Sequence, residues 1–435
     1  MRALALLLLA VLLLAGCATS RLPTATQAPL LPEAAVPLAF SAPVNMTTGA
    51  SARETSLAID PTNAQHLFAC DPSGVPSTRN GHSYFYESRD GGASWHELQV
   101  ETSATDPRKA TFEGGDCDVA FDAAGTMYSA DSWLGEIAVG SSSNGEAWNV
   151  GTVAAGGAPF ADRPWLVGGP DGTVHLTYQD VQFGMPSTLW YTRSTDHART
   201  FSPVSAVATA TPDGAFTWTG NFVVSPDGST LHSVYTRRAS GVVPTPGDAG
   251  AERVEVSSSH DGGRSWSSVL VSARPASASY LYPAIARDAA GGLHVVFSQA
   301  TSTDQPTWYT RSTDDGKTWS DPIALQRGVT SGSPWVAATT PGQAVAIWYA
   351  SPKAQADLAK DEDWFLYATR IVNGTVVSSG PTTAAPLFHG QQGGFAEFNM
   401  VRAGPDGAFH VGASVGAKDA RGNFHWQAIY QRQAP

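Results

Sequence analysis

The sequence predicts an all-β fold, a seven-bladed β-propeller of four-stranded antiparallel blades. Three observations predict it. A short turn signature recurs along the chain, a longer strand–turn–strand pattern recurs seven times, and the composition is that of a turn-rich, aromatic-packed protein. Of the 435 residues only 15% are charged, while Gly numbers 43 and Trp 13. Such values suit an extracellular β architecture rather than a helical one.

The turn signature is Ser-x-Asp-x-Gly-x-Ser/Thr-Trp. It stands at Ser88–Trp95 (SRDGGASW), Ser259–Trp266 (SHDGGRSW) and Ser312–Trp319 (STDDGKTW), with a weaker copy, STDHARTF, at Ser194–Phe201. Its spacing suits a tight turn between two strands, in which the Asp bonds nearby backbone N–H groups and the Gly takes a positive φ. The Trp then opens the next strand and offers a large apolar face to a neighbouring sheet.

The longer pattern is an apolar strand, a turn and a second apolar strand: SLAIDPTNAQHLFA, DVAFDAAGTMYSA, WLVGGPDGTVHLTY, FVVSPDGSTLHSVY, AIARDAAGGLHVVF, WVAATTPGQAVAIWY and NMVRAGPDGAFHVGA. A third strand follows each copy, and the turn signature follows that strand where it is present. Four antiparallel strands per unit, repeated about every 50 to 60 residues, mark propeller blades. The second blade carries a shortened signature ending at Trp148, and the sixth keeps only Asn373-Gly374. The seventh ends without an outer strand, which the segment Pro37–Met46 is expected to supply, closing the ring. Six blades is the competing count; seven is preferred because each copy has its own third strand.

The turn signature resembles the Asp-box, or BNR, repeat of the sialidase superfamily of β-propellers. The segment Asp162-Arg163-Pro164-Trp165, with Gly115-Asp116, is also similar to secreted sialidase-like BNR proteins of undefined activity. In the sialidases three arginines clamp the sugar carboxylate, a Tyr assisted by Glu is the nucleophile, and an Asp is the acid/base. The resemblance therefore implies catalytic roles for Tyr282, Glu397 (or Glu54), Asp116 and Asp162. It implies a clamp from Arg53 and Arg163, with the third arginine drawn from Arg79, Arg237 or Arg238. No Arg-Ile-Pro motif opens the propeller, and this departs from the sialidase pattern.

Repetition itself sorts scaffold from site. His66, His175, His232, His294 and His410 share one column after the first hairpin turn. One copy per blade lies on a wide ring, so these residues read as scaffold rather than as ligands of one ion. The same holds for Asp90, Asp196, Asp261 and Asp314. The residues that begin each innermost strand vary instead: Arg53-Glu54, Asp116-Cys117-Asp118, Asp162-Arg163, Trp218-Thr219, Leu281-Tyr282, Gly332-Ser333 and Ala396-Glu397. They should crowd the channel mouth, on the face opposite the turn signatures. Functional groups concentrate on such loops when a rigid scaffold presents them. The expected substrate-binding set is Arg53, Glu54, Arg163, Arg237 and Trp218. A metal site from His82, His389 and His425 finds no support in ligand spacing, so neither metal nor other cofactor is expected.

The N-terminal segment gives an address. Residues 1–17 read as a signal peptide whose apolar run is too short for a membrane span. Its ending, Leu14-Ala15-Gly16-Cys17, resembles the bacterial lipobox, which implies lipidation of Cys17 and membrane attachment through that anchor alone. Ala18 favours an outer membrane where the host has one. Residues 18–38 read as a Pro/Ala/Thr-rich tether and residues 39–435 as the propeller. Cys70 and Cys117 form an even pair in an oxidising compartment and are expected to be bridged, two buried thiols being the alternative. The net charge of −12 argues against nucleic acid as a partner. The leading expectation is a monomeric, lipid-anchored propeller of the bacterial cell envelope that binds a glycan or a protein. A sialidase-type glycoside hydrolase and an envelope assembly scaffold are the alternatives.

Overall fold

The computed structural model describes residues 38–47, 54–73, 83–98, 114–133, 135–154, 161–180, 187–209, 216–238, 251–275, 282–356, 360, 362–390, 397–418 and 421–434. Residues 1–37, which include the lipobox, and the candidate Arg53 lie outside that set, as do Arg79, His82, Leu281 and Ala396. The described residues form seven antiparallel sheets of at least four strands, each running in chain order from its innermost strand. The innermost strands are Ser56–Ile59, Cys117–Phe121, Ala161–Gly168, Phe216–Val224, Ala284–Arg287, Thr330–Ala338 and Met400–Ala403. The fold is the expected seven-bladed propeller. Blade seven is closed by the other end of the chain, Val44 pairing with Tyr430 and Asn45 with Ile429.

The turn signatures build themselves from local hydrogen bonds. In the first, Ser88 Oγ donates to Asp90 Oδ1 at 2.8 Å and accepts from Gly92 N at 2.9 Å, while Ser94 N and Oγ donate to the same carboxylate. The arrangement recurs around Asp196, Asp261 and Asp314. Hydroxyl and amide donors hold Asp90, Asp196 and Asp314 down at about 2 and Asp261 lower still. The first and second full copies place glycines at positive φ, Gly91 and Gly92 at 72° and 89° and Gly262 and Gly263 at 72° and 86°. The weak copy puts His197 and Ala198 there, both at 58°.

Each blade leans on its predecessor through this turn. Trp95 of blade one packs on Tyr430 of blade seven at 5.5 Å, and Trp266 of blade four on Tyr191 of blade three at 5.6 Å. The histidine column buttresses the receiving side: His410 Nδ1 meets the Tyr430 hydroxyl at 2.6 Å, His175 the Tyr191 hydroxyl at 2.7 Å and His294 the Tyr309 hydroxyl at 2.8 Å. Burial pushes His175 and His410 down to about 4, so both are neutral at physiological pH. The column is scaffold: three of its members hold a tyrosine, while His66 bonds Asp60 and Glu87 and His232 bonds Ser258 and Asp315.

That contact leaves no room for a methyl group. A Cβ on Gly263 would stand 2.0 Å from Tyr191 Cε1, whereas one on Gly328, at a comparable φ of 73°, would meet nothing within 4 Å. Gly328→Ala should therefore cost only the left-handed strain, about 1–2 kcal/mol. Gly263→Ala adds overpacking, for a total of roughly 2–5 kcal/mol. Urea unfolding of the two variants side by side measures the difference, and equal losses would contradict the packing account.

Candidate functional site at the channel mouth

The residues that start the innermost strands meet on the axis, and one guanidinium ties them together. In blade three the strand bulges between Asp162 and Trp165, with Arg163 in the left-handed region at φ 53°. The same bulge occurs between Gly332 and Trp335 in blade six, where Ser333 has φ 50° before Pro334. The strained backbone thus belongs to a repeated Pro-Trp step. What is particular to blade three is the side chain it throws across the channel.

Arg163 Nη1 donates to Glu54 Oε2 at 2.9 Å and lies 2.9 Å from Asp116 Oδ2, Nη2 donates to Glu397 Oε2 at 2.5 Å, and Nε is 3.9 Å from Asp162 Oδ2. Four acids from blades one, two, three and seven face one cation. The guanidinium also lies against two touching rings, its Cζ 4.8 Å from the Tyr282 centroid and 4.7 Å from that of Phe398, the two rings being 4.8 Å from each other. Beneath it Trp165 packs against Trp335 at 5.2 Å and Phe398 at 5.3 Å, an aromatic plug across the channel. The Arg163 side chain is 9% exposed, while the four carboxyl side chains keep 17% to 29% toward the mouth.

The acids are not alike. Burial, reinforced by the Asp116 charge, pushes Glu54 and Asp162 well above the ordinary carboxylate range. Burial acts on Asp116 too, but Arg163 and hydrogen bonds from Asp162 and Glu54 bring it below its usual value. Asp116 is thus the strongest acid of the trio and Glu54 and Asp162 the weaker ones, a graded set. For Arg163 the acids outweigh the cost of burial and hold it charged. Behind Glu54, the buried Asp71 accepts from Glu54 N at 3.3 Å and Thr55 Oγ1 at 3.2 Å, and burial pushes it up to about 8.

The structure brings together Glu54, Asp116, Asp162, Arg163, Tyr282 and Glu397, with Trp218 edge-on to Tyr282 at 5.7 Å. Arg237, expected among the binding residues, instead donates to Glu255 Oε2 at 2.9 Å and to Thr209 O at 2.8 Å. Tyr282 is 2% exposed and burial pushes its phenol well up, so it is a packing ring here and not an ionised nucleophile. Asp118 lies one step deeper, accepting from Leu166 N at 2.7 Å and from Ser56 Oγ. Cys70 and Cys117 are disulfide-bonded with Cα atoms 6.4 Å apart, tying blade one to blade two beside Asp71 and Asp116. His389 pairs with Asp363 at 2.7 Å and His425 with Gln427 at 3.0 Å. Phe398 and Asp71 were missed by sequence reasoning; their adjacency to Glu397 and Cys70 is the only sequence signal for them.

Two other places were weighed. Asp122, Asp171 and His197 offer ligand atoms within 4.8 Å of one another on the turn-signature face. Both Asp122 oxygens are already committed, Oδ1 to Ala124 N and Thr126 N, Oδ2 to Tyr128 Oη and Gly172 N. The group is a joint between blades. At the same end of the axis an open depression of about 660 Å³ is lined by Ile59, Phe121, Gly168, Val224 and Arg287, among others. The acids bordering it, Asp122 and Asp288, accept backbone N–H groups, and no graded acid set lies there among the described residues.

No protein-family profile matches the chain, and no curated protein sequence does. Solved structures do. An ulvan lyase, representing a new family of polysaccharide lyases, superposes with a TM-score of 0.53 at 13% identity, covering 89% of this chain and 95% of its own. An α-L-arabinofuranosidase from Fusarium graminearum gives 0.49 at 16%, covering 77% and 98%. A leech intramolecular trans-sialidase gives 0.42 at 14%, covering 89% and 68%. At these identities the likeness is one of fold alone.

Removing the central cation leaves the acids facing one another. Arg163→Leu should cost about 3–5 kcal/mol at pH 8, the range for a buried pair that loses one partner. The loss should shrink toward pH 5, where the stranded carboxylates take up protons. The sign in the parent protein agrees: Glu54 and Asp162 have raised folded values, so their contribution is present at acid pH and is lost as pH rises through those values. Urea unfolding of both proteins across that interval tests it; a pH-independent difference would refute the ionic account.

Proposed function

We propose that the protein binds a glycan at the channel mouth, contacting an uncharged sugar residue through Glu54, Asp116, Asp162 and Glu397 with Trp218 as an apolar platform. The observation that carries this reading is the locked guanidinium. Arg163 spends its donors on protein acids, so the mouth offers hydroxyl-matching carboxyl donors and carboxylate acceptors instead of a free cation. Few polar groups fixed beside an aromatic ring suit a sugar, whose hydroxyls need both kinds of partner and whose C–H face packs on an indole. The polysaccharide lyase with the same fold is consistent with this class of ligand.

Charge counts against a sialic acid. A sugar carboxylate would enter among four acids, with Arg163 occupied and Arg237 tied to Glu255. Hydrolysis is the second reading, favoured by the raised Glu54 and Asp162 beside the lowered Asp116. Asp116 hydrogen-bonds to both Glu54 and Asp162, however, so in each of those two pairs the carboxyls lie closer than the roughly 5–9.5 Å that separates a glycosidase pair. Binding is therefore the leading reading.

Glycan-array binding should identify a neutral ligand whose affinity falls on the order of tenfold in both Trp218→Ala and Glu397→Gln, the worth of one stacked face or one charged hydrogen bond. Tyr282→Phe should bind normally. Preferential binding of sialosides, or release of sialic acid, would overturn the proposal. The protein is further proposed to be held at the cell envelope by lipid on Cys17. Cys17→Ser should move it from the membrane fraction to the soluble one; an unchanged distribution would count against the anchor.

A further inference from the structure

The seam between blades four and five, on the mouth face, carries a feature that the axial cluster does not use. The outermost strand of blade four, Ser267–Pro275, runs away from its turn signature and ends at this face. The third strand of blade five, Thr307–Ser312, begins there. Arg274 at the end of the first reaches over Trp308 at the start of the second, its Cζ 3.9 Å from the ring centroid. Arg327, just beyond the short outer strand Ile323–Ala324, brings a second guanidinium to 5.9 Å from the same ring.

The indole is fixed. Trp308 is 6% exposed, and its Nε1 donates to Gln299 O at 3.0 Å. Gln299 in turn spans the seam, accepting from Ser272 Oγ at 2.9 Å and donating to Glu252 O at 2.9 Å. Arg327 is half exposed and is oriented by Asp304, whose Oδ2 lies 2.9 Å from its Nε and also accepts from Gly328 N. Arg274 has no such partner: its Nε is buried without a hydrogen bond. Burial and the nearby Arg327 charge both lower its pKa, and no carboxylate offsets them among the described residues. Two cations held against one ring, one with a buried donor unmatched among the described residues, are a costly arrangement. A compact oxyanion between them would supply the missing acceptor and cancel the repulsion, and guanidinium groups match such anions in geometry.

We propose that Arg274, Arg327 and the Trp308 platform form a subsite for an oxyanion, a sulfate ester or carboxylate carried as a substituent on the bound glycan. The glycan source of the anion rests on the proposed function; the anion site itself does not. The two sites divide the labour, since the axial acids repel negative charge and the blade-four to blade-five seam attracts it. Trp218 and Tyr282 lie at the inner end of that seam, so a chain leaving the mouth in this direction would present its next residues to the arginines.

The test compares matched sulfated and chemically desulfated oligosaccharides by calorimetry at constant ionic strength. The sulfated member should bind on the order of tenfold more tightly to the parent protein. That preference should vanish in Arg274→Gln and weaken in Arg327→Gln, while Arg274→Lys keeps part of it. Arg327 is half exposed, so its variant remains a fair test if Arg274→Gln fails to fold. Equal affinity for the pair, or a preference indifferent to both variants, overturns the subsite while leaving glycan binding intact. If neither oligosaccharide binds, the glycan reading fails, and equilibrium dialysis with radiolabelled inorganic sulfate decides the rest. One sulfate per chain, lost in Arg327→Gln, sustains the anion site; no bound sulfate removes it.

Discussion

The mouth of this propeller depends on one side chain crossing an axis. A ring of blades packs neighbour against neighbour, and periodic contacts alone would leave its centre unbonded. Arg163 reaches from blade three to acids on blades one, two and seven and packs against rings from blades five and seven. Blades that are not neighbours thereby become coupled. Burying a single guanidinium is affordable only because so many acids surround it, and the acids are tolerable because the cation lies among them and burial weakens two of them as acids. Each condition requires the other, so the protonation pattern and the geometry of the mouth are one property.

Scaffold and site use different logic. On the turn-signature face every bond repeats: Ser to Asp, Gly to Ser, Trp to the preceding blade's aromatic, His to Tyr. On the mouth face almost nothing repeats except the Pro-Trp bulge, and that bulge shows how the two are reconciled. The backbone step is shared by Arg163 and Ser333, so the fold provides a strained, inward-pointing position in two blades, and only one is filled by a residue long enough to span the channel. The disulfide between Cys70 and Cys117 lies at the boundary, joining the strands whose next or preceding residues are Asp71 and Asp116.

This division explains what could be read from sequence. The blades, the turns, the histidine column and the closing strand were legible because each rests on contacts within a few dozen residues or on visible repetition. Glu54, Asp116, Asp162, Arg163, Tyr282, Trp218 and Glu397 were legible as a column of irregular residues at equivalent positions. Their relationships were not. That Arg163 serves protein acids, and that Arg237 turns to Glu255, depends on side-chain reach across a space that no spacing rule encodes. Phe398 and the Arg274–Trp308 stack were invisible for the same reason, since each joins blades through a contact made once.

The clasp that joins Val44 and Asn45 to Tyr430 and Ile429 also governs how such a chain comes into being. The paired residues are separated by nearly the whole propeller, so the loop they close is the longest in the molecule and carries the largest entropic penalty. Until the final strand has left the ribosome, the blades made so far form an open arc with a bare sheet edge at each end. The nascent protein is therefore at its most adhesive just before completion, and chaperone protection is needed longest by the segment made first.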